Sequence, residues 1–291
     1  MPSHLQRQCG ADFSLGSCLD RLRQCRPLVV CITNAVTVND CANALLAVGA
    51  SPVMTNSYED ARDLIAAADA LYLNIGTVTT ESAELMLRVS GLANTRGIPV
   101  LLDPVGAGAS SLRTGTAQTL LASGNVGFLR GNISEIRALA GKISSIRGVD
   151  AGDREDSHDV FEANTALLGA LAKKYSIVVG TSGPIDRIVS IDRRALVENG
   201  DALLPRICGT GCILSALSAA FIAASPNSTF EAFVAAFALC GLASERARAL
   251  LGQSCGPAAM RGAFLDALFF VTGADLDQGA RESVKERMES E

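Results

Sequence analysis

The segment Cys208-Gly209-Thr210-Gly211-Cys212 leads straight into the apolar run Ile213–Phe221. Two glycines permit a tight turn and a close approach of backbone to a ligand, and the run behind them predicts a helix whose first amides lack intrahelical acceptors. Such a helix start draws anions through those amides and the positive end of its dipole. Cys212, in the first turn, is placed where a thiol pKa falls, so it is read as a base beside a phosphate or a developing oxyanion. A glycine turn before a helix also serves plain packing, so the other polar residues decide between the two.

Those residues stand at the ends of apolar runs. Asn34 follows Cys31-Ile32-Thr33, with Asn39 and Asn43 close behind, and either caps a turn or meets a ligand. Met54 closes Ser51-Pro52-Val53 and is either core filler or the apolar wall of a small organic substrate. Asn74-Ile75-Gly76-Thr77 ends a third run. Asp103 directly follows Leu101-Leu102 and precedes Gly106 and Gly108, a position for a carboxylate that serves Mg²⁺ or its waters, or that caps a turn. Arg130-Gly131-Asn132-Ile133-Ser134-Glu135 offers a cation and then an Asn-x-x-Glu spacing. If Asn132 caps a helix, Glu135 lies one turn in; a capping box and a hold on a metal-bound water are compatible roles. Ser182-Gly183 supplies a hydroxyl and amides suited to phosphates.

The elements that must position them alternate. Short β-rich runs at Leu28–Thr33, Pro52–Thr55, Ala70–Ile75, Pro99–Leu102, Gly127–Leu129 and Ser176–Gly180 are separated by helical stretches of the length that links parallel strands. Ile185–Ile191 and Ala195–Glu198 read as a polar hairpin, Ser144–Asp159 as an exposed loop, and everything from Gly211 onward as almost all helix. Right-handed βαβ units imply a three-layer α/β/α domain with a mostly parallel central sheet, and ligands bind such sheets at the carboxyl ends of the strands. One domain over 1–291 is expected, with 1–25 as a peripheral extension or helix and 281–291 as a peripheral charged tail.

Composition narrows the chemistry. The 291 residues carry a net charge of −5, which gives no electrostatic reason to expect nucleic acid. No apolar stretch is long enough to span a bilayer, and the amino terminus lacks the apolar core of a secretory leader, so a cytoplasmic location is expected. Nine cysteines without a C-x-x-C pair are read as reduced and mostly buried. His4 and His158 have no metal-ligating company, which argues against a zinc site or a histidine-based triad. No G-x-x-x-x-G-K-[ST] and no G-x-G-x-x-G follows a first strand, so neither a P-loop nor a dinucleotide fold supplies the phosphate site. A sheet edge bearing Asp, Arg, Asn, Glu, Ser and a glycine anion hole matches phosphoryl transfer, which rests on positioning and charge neutralisation.

Together these blocks resemble the hydroxyethylthiazole kinase family of the ribokinase-like superfamily. The likeness runs from about Pro27 to Thr272, through Ile32-Thr33-Asn34, Ala47-x-Gly49-Ala50-Ser51-Pro52-Val53-Met54, Leu73-Asn74-Ile75-Gly76-Thr77, Leu102-Asp103-Pro104-Val105-Gly106-Ala107-Gly108, Arg130-Gly131-Asn132-x-Ser134-Glu135 and Gly209-Thr210-Gly211-Cys212. The resemblance implies ATP-dependent phosphorylation of the primary alcohol of 4-methyl-5-(2-hydroxyethyl)thiazole, and a homotrimer with active sites between subunits. It assigns Met54 and Gly209 to the thiazole, Arg130 and Ser182 to ATP, Asn132 and Glu135 to Mg²⁺, and Cys212 to the base; the reading of the residues adds Asn34 for the substrate, Gly211 for ATP and Asp103 for the metal. Two blocks depart from the family pattern: Ser182-Gly183 stands for Thr-Gly, and Gly256-Pro257-Ala258-Ala259-Met260 for Gly-Pro-Gly-Ser-Phe. The alternatives are a kinase for hydroxymethylpyrimidine or a B6 vitamer, or a silent ATP-binding relative.

Overall fold

The computed structural model describes residues 14–141, 158–252 and 254–286. Its nine strands form one sheet in the order β2-β1-β3-β4-β5-β6-β7-β8-β9. They are β1 (Leu28–Ile32), β2 (Ser51–Met54), β3 (Ala70–Asn74), β4 (Val100–Asp103), β5 (Phe128–Asn132), β6 (Val178–Ser182), β7 (Asp186–Val189), β8 (Arg193–Val197) and β9 (Glu282–Glu286). From β2 through β6 every pairing is parallel, and from β6 through β9 every pairing is antiparallel.

Because side chains alternate across a strand, each parallel strand feeds two cores. Val29, Cys31, Tyr72 and Leu101 face one apolar cluster, and Val30, Ile32, Leu71, Leu73 and Leu102 face the other. Helices α1 (Leu15–Cys25), α2 (Val38–Val48), α8 (Thr210–Ala224), α9 (Thr229–Leu251), α10 (Pro257–Phe270) and α11 (Gly273–Gly279) cover the first face. Helices α3 (Tyr58–Ile65), α4 (Thr80–Thr95), α5 (Ser111–Ala122), α6 (Ile133–Leu139) and α7 (His158–Tyr175) cover the second. That is the three-layer arrangement expected from the alternation. Helix α8 is apolar nearly all round, and only Thr210, Gly211 and Ala223 escape full burial. A helix of that kind belongs inside the fold, between the sheet and α9.

Local chemistry sets the helix starts that matter below. Ser57, Thr79 and Ser110 cap α3, α4 and α5 with side-chain oxygens on N3 amides. Asn132 and Glu135 form a reciprocal capping box on α6.

Two expectations need correction. Residues 15–25 are not peripheral: Leu15, Cys18, Leu19 and Leu22 are buried in the first core, and the Gly16 amide donates to Asp277 Oδ1 at 2.7 Å. The charged tail also does more than trail away, since 282–286 form β9, paired antiparallel with Arg193–Val197. Two strands extend beyond their sequence reading, β5 to Asn132 and β6 to Ser182, so Arg130 and Ser182 are strand residues. Most of the loop placed at Ser144–Asp159 lies outside the described residues.

Candidate active site

At the carboxyl edge of the sheet, β1, β3, β4, β5 and β6 end around the start of α8. The turn at Gly209 has φ +93, a left-handed conformation that glycine takes without steric cost. A β-carbon there would also lie 3.0 Å from Thr37 Cγ2 and 3.5 Å from Asp40 Oδ2. Asp40 is held in turn by Arg261 of α10, through Nε at 2.9 Å and through Nη2. The first helical bond, from Ile213 N to Gly209 O at 2.8 Å, leaves the amides of Thr210, Gly211 and Cys212 without intrahelical acceptors.

Arg130 faces this helix start from β5. It is buried, its Nη2 donates to Ser182 Oγ, and a β-carbon on Gly211 would come within 2.7 Å of its Nη1. A guanidinium, a hydroxyl and the positive end of a helix thus converge, an arrangement that favours a phosphate chain. Beside it, Gly183 N donates to Asp186 Oδ1 at 2.9 Å. Burial pushes the Asp186 carboxyl up to about 7, opposed by the Gly183 amide, Arg130 and Arg187.

Asp103 ends β4, opposite Asn74 in the parallel register. Its Oδ2 accepts from Asn74 Nδ2 at 2.9 Å and from the Tyr72 hydroxyl at 3.3 Å. Its Oδ1 is buried without a hydrogen-bond partner; the Ser215 hydroxyl is near enough to favour the carboxylate, yet no bond of good geometry forms between them. Burial raises the Asp103 pKa to about 7, with Arg130 pulling it down and Glu135 adding to the rise. Glu135 Oε1 accepts from Gly106 N at 2.9 Å and Oε2 from Asn132 N at 2.8 Å, so this carboxylate ties the loop after β4 to the start of α6. The Asn132 side-chain oxygen caps the Glu135 amide at 2.9 Å. Burial raises the Glu135 pKa as well.

Cys212 points from the first turn of α8 toward β1 and β3. Its sulfur accepts from Asn34 Nδ2 at 3.4 Å and Asn74 Nδ2 at 3.3 Å. Position at a helix start led the sequence reading to a lowered thiol pKa. The structure reverses that sign: burial, then the Asp103 charge, raise it, while the nearby Thr37 hydroxyl and the Asn74 and Asn34 amides favour the thiolate and oppose the rise. A cavity of about 850 Å³ opens at the ends of β1, β2 and β3, walled by Met54, Val38, Ala35 and Thr77, with Asn74 at its floor. It has room for a small heterocycle.

Other buried polar atoms without partners gather here: Thr33 Oγ1, Thr37 Oγ1, Arg130 Nε, Thr181 Oγ1 and Ser215 Oγ. Orphaned groups are rare in folded proteins, and their collection at one sheet edge points to a ligand that satisfies them. Sequence reasoning missed Tyr72, Asp186 and Arg261. It also passed over Asn74 as a site residue, although Asn74 stood at a strand exit.

Comparison with known proteins finds relatives of this chain. The sequence profile of the Hydroxyethylthiazole kinase family matches residues 19–273. A hydroxyethylthiazole kinase of Thermoanaerobacter pseudethanolicus is 43% identical over 251 residues, 86% of this chain and 92% of that one. One of Listeria monocytogenes is 44% identical over 250 residues, 86% of this chain and 90% of that one. The structure of a hydroxyethylthiazole kinase protein from Pyrococcus horikoshii superposes with a TM-score of 0.83 at 34% identity, covering 94% of this chain and 99% of that one. A pyridoxal kinase from Staphylococcus aureus shares the fold alone, with a TM-score of 0.60 at 13% identity over 90% of this chain and 99% of that one.

Proposed function

The chain belongs to the hydroxyethylthiazole kinase family, and from that premise we propose that it transfers the γ-phosphoryl group of ATP to the primary alcohol of 4-methyl-5-(2-hydroxyethyl)thiazole, a salvage step towards thiamine. The observation that carries the reading is the convergence of Arg130, Ser182 and the open amides of α8 beside Cys212, with the Met54 cavity adjoining. The phosphates lie along Arg130 and Ser182, and the thiazole occupies the cavity against Met54, beside the Asn34 turn, with Gly209 contacting it from the start of α8.

In the transfer, the substrate oxygen bonds to the γ-phosphorus as the bond to the β–γ bridging oxygen breaks, and ADP leaves. The amides of Thr210–Cys212 receive the equatorial oxygens, and Arg130 offsets the charge that moves toward ADP. Preorganised donors of this kind are each worth about 3–4 kcal/mol of barrier. The alcohol proton passes late to Cys212 Sγ and then to solvent. Because the transition state is loose, the position of the sulfur matters more than its basicity, so a thiol with a raised pKa can still serve through its thiolate fraction.

Mg²⁺ fits the donors present. Asp103 Oδ1 is an oxygen with no partner, and Glu135 and Asn132 keep lone pairs for water once their capping bonds are made. Asp103, with Glu135 and Asn132 acting through water, would hold the ion, which when bound neutralises phosphate charge. Few protein ligands are required, since Mg²⁺ in such sites is completed by phosphates and water.

A homotrimer with active sites at subunit boundaries is part of this reading. It is supported by Val36, an apolar side chain 65% exposed beside the Asn34 turn, where a neighbouring subunit would cover it. A cytoplasmic location accords with the eight described cysteines, all free, and with the lack of any described helix long and apolar enough to cross a membrane.

Acceptor choice tests the proposal against its alternatives. With Mg-ATP, the hydroxyethylthiazole is expected to be turned over at least about 100-fold more efficiently than hydroxymethylpyrimidine or pyridoxal, a discrimination a shaped pocket can reach. Equal or better turnover of either competitor would move the function to that alcohol. ATP binding with no turnover of any of the three would mark a silent relative.

A further inference from the structure

Asn74 is the last residue of β3 and is 1% exposed. Its amide orientation is fixed from the backbone: Oδ1 accepts from Gly76 N at 2.9 Å, so the nitrogen must face the other way. On that side Nδ2 lies 2.8 Å from the Tyr72 hydroxyl, 2.9 Å from Asp103 Oδ2 and 3.3 Å from Cys212 Sγ. Oδ1 also accepts from Asn34 Nδ2 at 2.9 Å, and Asn34 Nδ2 reaches the same sulfur at 3.4 Å. Asn34 is itself anchored, its Oδ1 taking the amides of Val36 at 3.0 Å and Thr37 at 3.1 Å.

The two asparagines therefore form one chain, running from the turn after β1 through the sulfur to the carboxylate. Its members are buried and their amides cannot flip without breaking backbone bonds. The sulfur is thus held between two anchored donors, with the Thr37 hydroxyl also beside it. Tyr72 completes the arrangement, with its hydroxyl also 3.2 Å from the Cys212 carbonyl.

We propose that Asn74 is a positioning residue for phosphoryl transfer: its amide sets the Cys212 sulfur at a fixed place relative to the Asp103 carboxylate and the Asn34 turn. The inference rests on the kinase reading above and adds to it a residue that acts through Cys212. The physical basis is the steep dependence of transfer on the placement of reacting groups, where a displacement of about 1 Å costs about 100-fold. A donor that only filled space would have no such effect once substrate is bound.

A double-mutant cycle tests this. Asn74→Ala, Cys212→Ala and the pair are compared with the parent in steady-state kinetics, with thermal unfolding followed alongside. Asn74→Ala is expected to lower kcat by about 100-fold while both KM values stay within about threefold, and to lower it by less than about fivefold when Cys212 is already alanine. If Asn74→Ala does not fold, Asn74→Leu takes its place, since it keeps the approximate shape, adds no charge beside Asp103 and removes the amide donor. A kcat within threefold of the parent, a loss confined to KM, or an equal loss with and without Cys212 would each overturn the proposal. The parent is measured in the same assay. If the parent itself makes no thiazole phosphate, the kinase reading fails; if the parent is active, the variants judge Asn74 alone.

Discussion

The guanidinium of Arg130 stands directly against Gly211, so close that a β-carbon at that position would come within 2.7 Å of Nη1. The strand and the helix start meet there with no room for a side chain between them, and the phosphate reading places its anion beside this contact, against Arg130, Ser182 and the open amides of α8. Gly211→Ala should push Arg130 off Ser182 and raise the KM for ATP by about tenfold, equivalent to about 1.4 kcal/mol, with the thiazole KM little changed. Arg130→Lys should not restore the parent value, because an ammonium cannot span Ser182 and the phosphates together. Initial rates over an ATP series decide the matter; an unchanged KM in Gly211→Ala would contradict the placement.

Cys212 offers a prediction with a sign. Burial and the Asp103 charge raise its pKa, so the thiolate is scarce near neutrality and grows as pH rises. The kcat of the parent should therefore climb on the alkaline side. Cys212→Asp should remain active with that limb moved to lower pH, because a carboxylate ionises earlier. Cys212→Ala should lose about 100-fold, at the low end of what general-base groups contribute, since the loose transition state asks little of the base. An Ala variant as fast as the parent, or identical pH profiles for Cys and Asp, would remove the base from the account.

Asp186 makes a claim about stability. Its carboxyl is raised to about 7 in the fold, chiefly by burial, against an unfolded value of about 3.9. A group raised in this way favours the fold fully below the unfolded value, and that contribution is lost as pH climbs from about 4 to about 7. Asp186→Asn keeps the acceptor for Gly183 and cannot ionise. It should match the parent near pH 4 and exceed it at pH 8 by about 1 kcal/mol or more, read as a rise of about 1.5–2 °C in Tm per kcal/mol. Thermal unfolding at the two pH values checks it; a variant less stable than the parent at pH 8 would show that ionised Asp186 is held by Arg130 more strongly than burial opposes it.

Much of this site was legible in the sequence for one physical reason: a parallel sheet brings the ends of its strands together, so polar residues closing apolar runs become neighbours. Asp103, Arg130 and Ser182 were read as neighbours in that way, and Cys212 from the glycine turn that starts α8. Tyr72 was not, because a tyrosine inside Ala70–Asn74 looks like any core residue until the partner of its hydroxyl is known. Asp186 was hidden in a polar hairpin, where nothing in the chain signals that Gly183 and Arg130 enclose it. The thiol pKa of Cys212 was misread because the helix start is visible in sequence, whereas burial and the Asp103 charge depend on contacts from other strands. Residues 282–286 looked like a charged tail because an edge strand is held by backbone pairing, which leaves little trace in side-chain pattern.

The most direct test of the central claim is ADP release by the purified protein with Mg-ATP, with and without hydroxyethylthiazole, with the product examined for a new phosphate ester. Release that depends on the thiazole, with one ester formed per ADP, is the predicted result. ADP release indifferent to the thiazole, or none from protein that binds ATP, would contradict it.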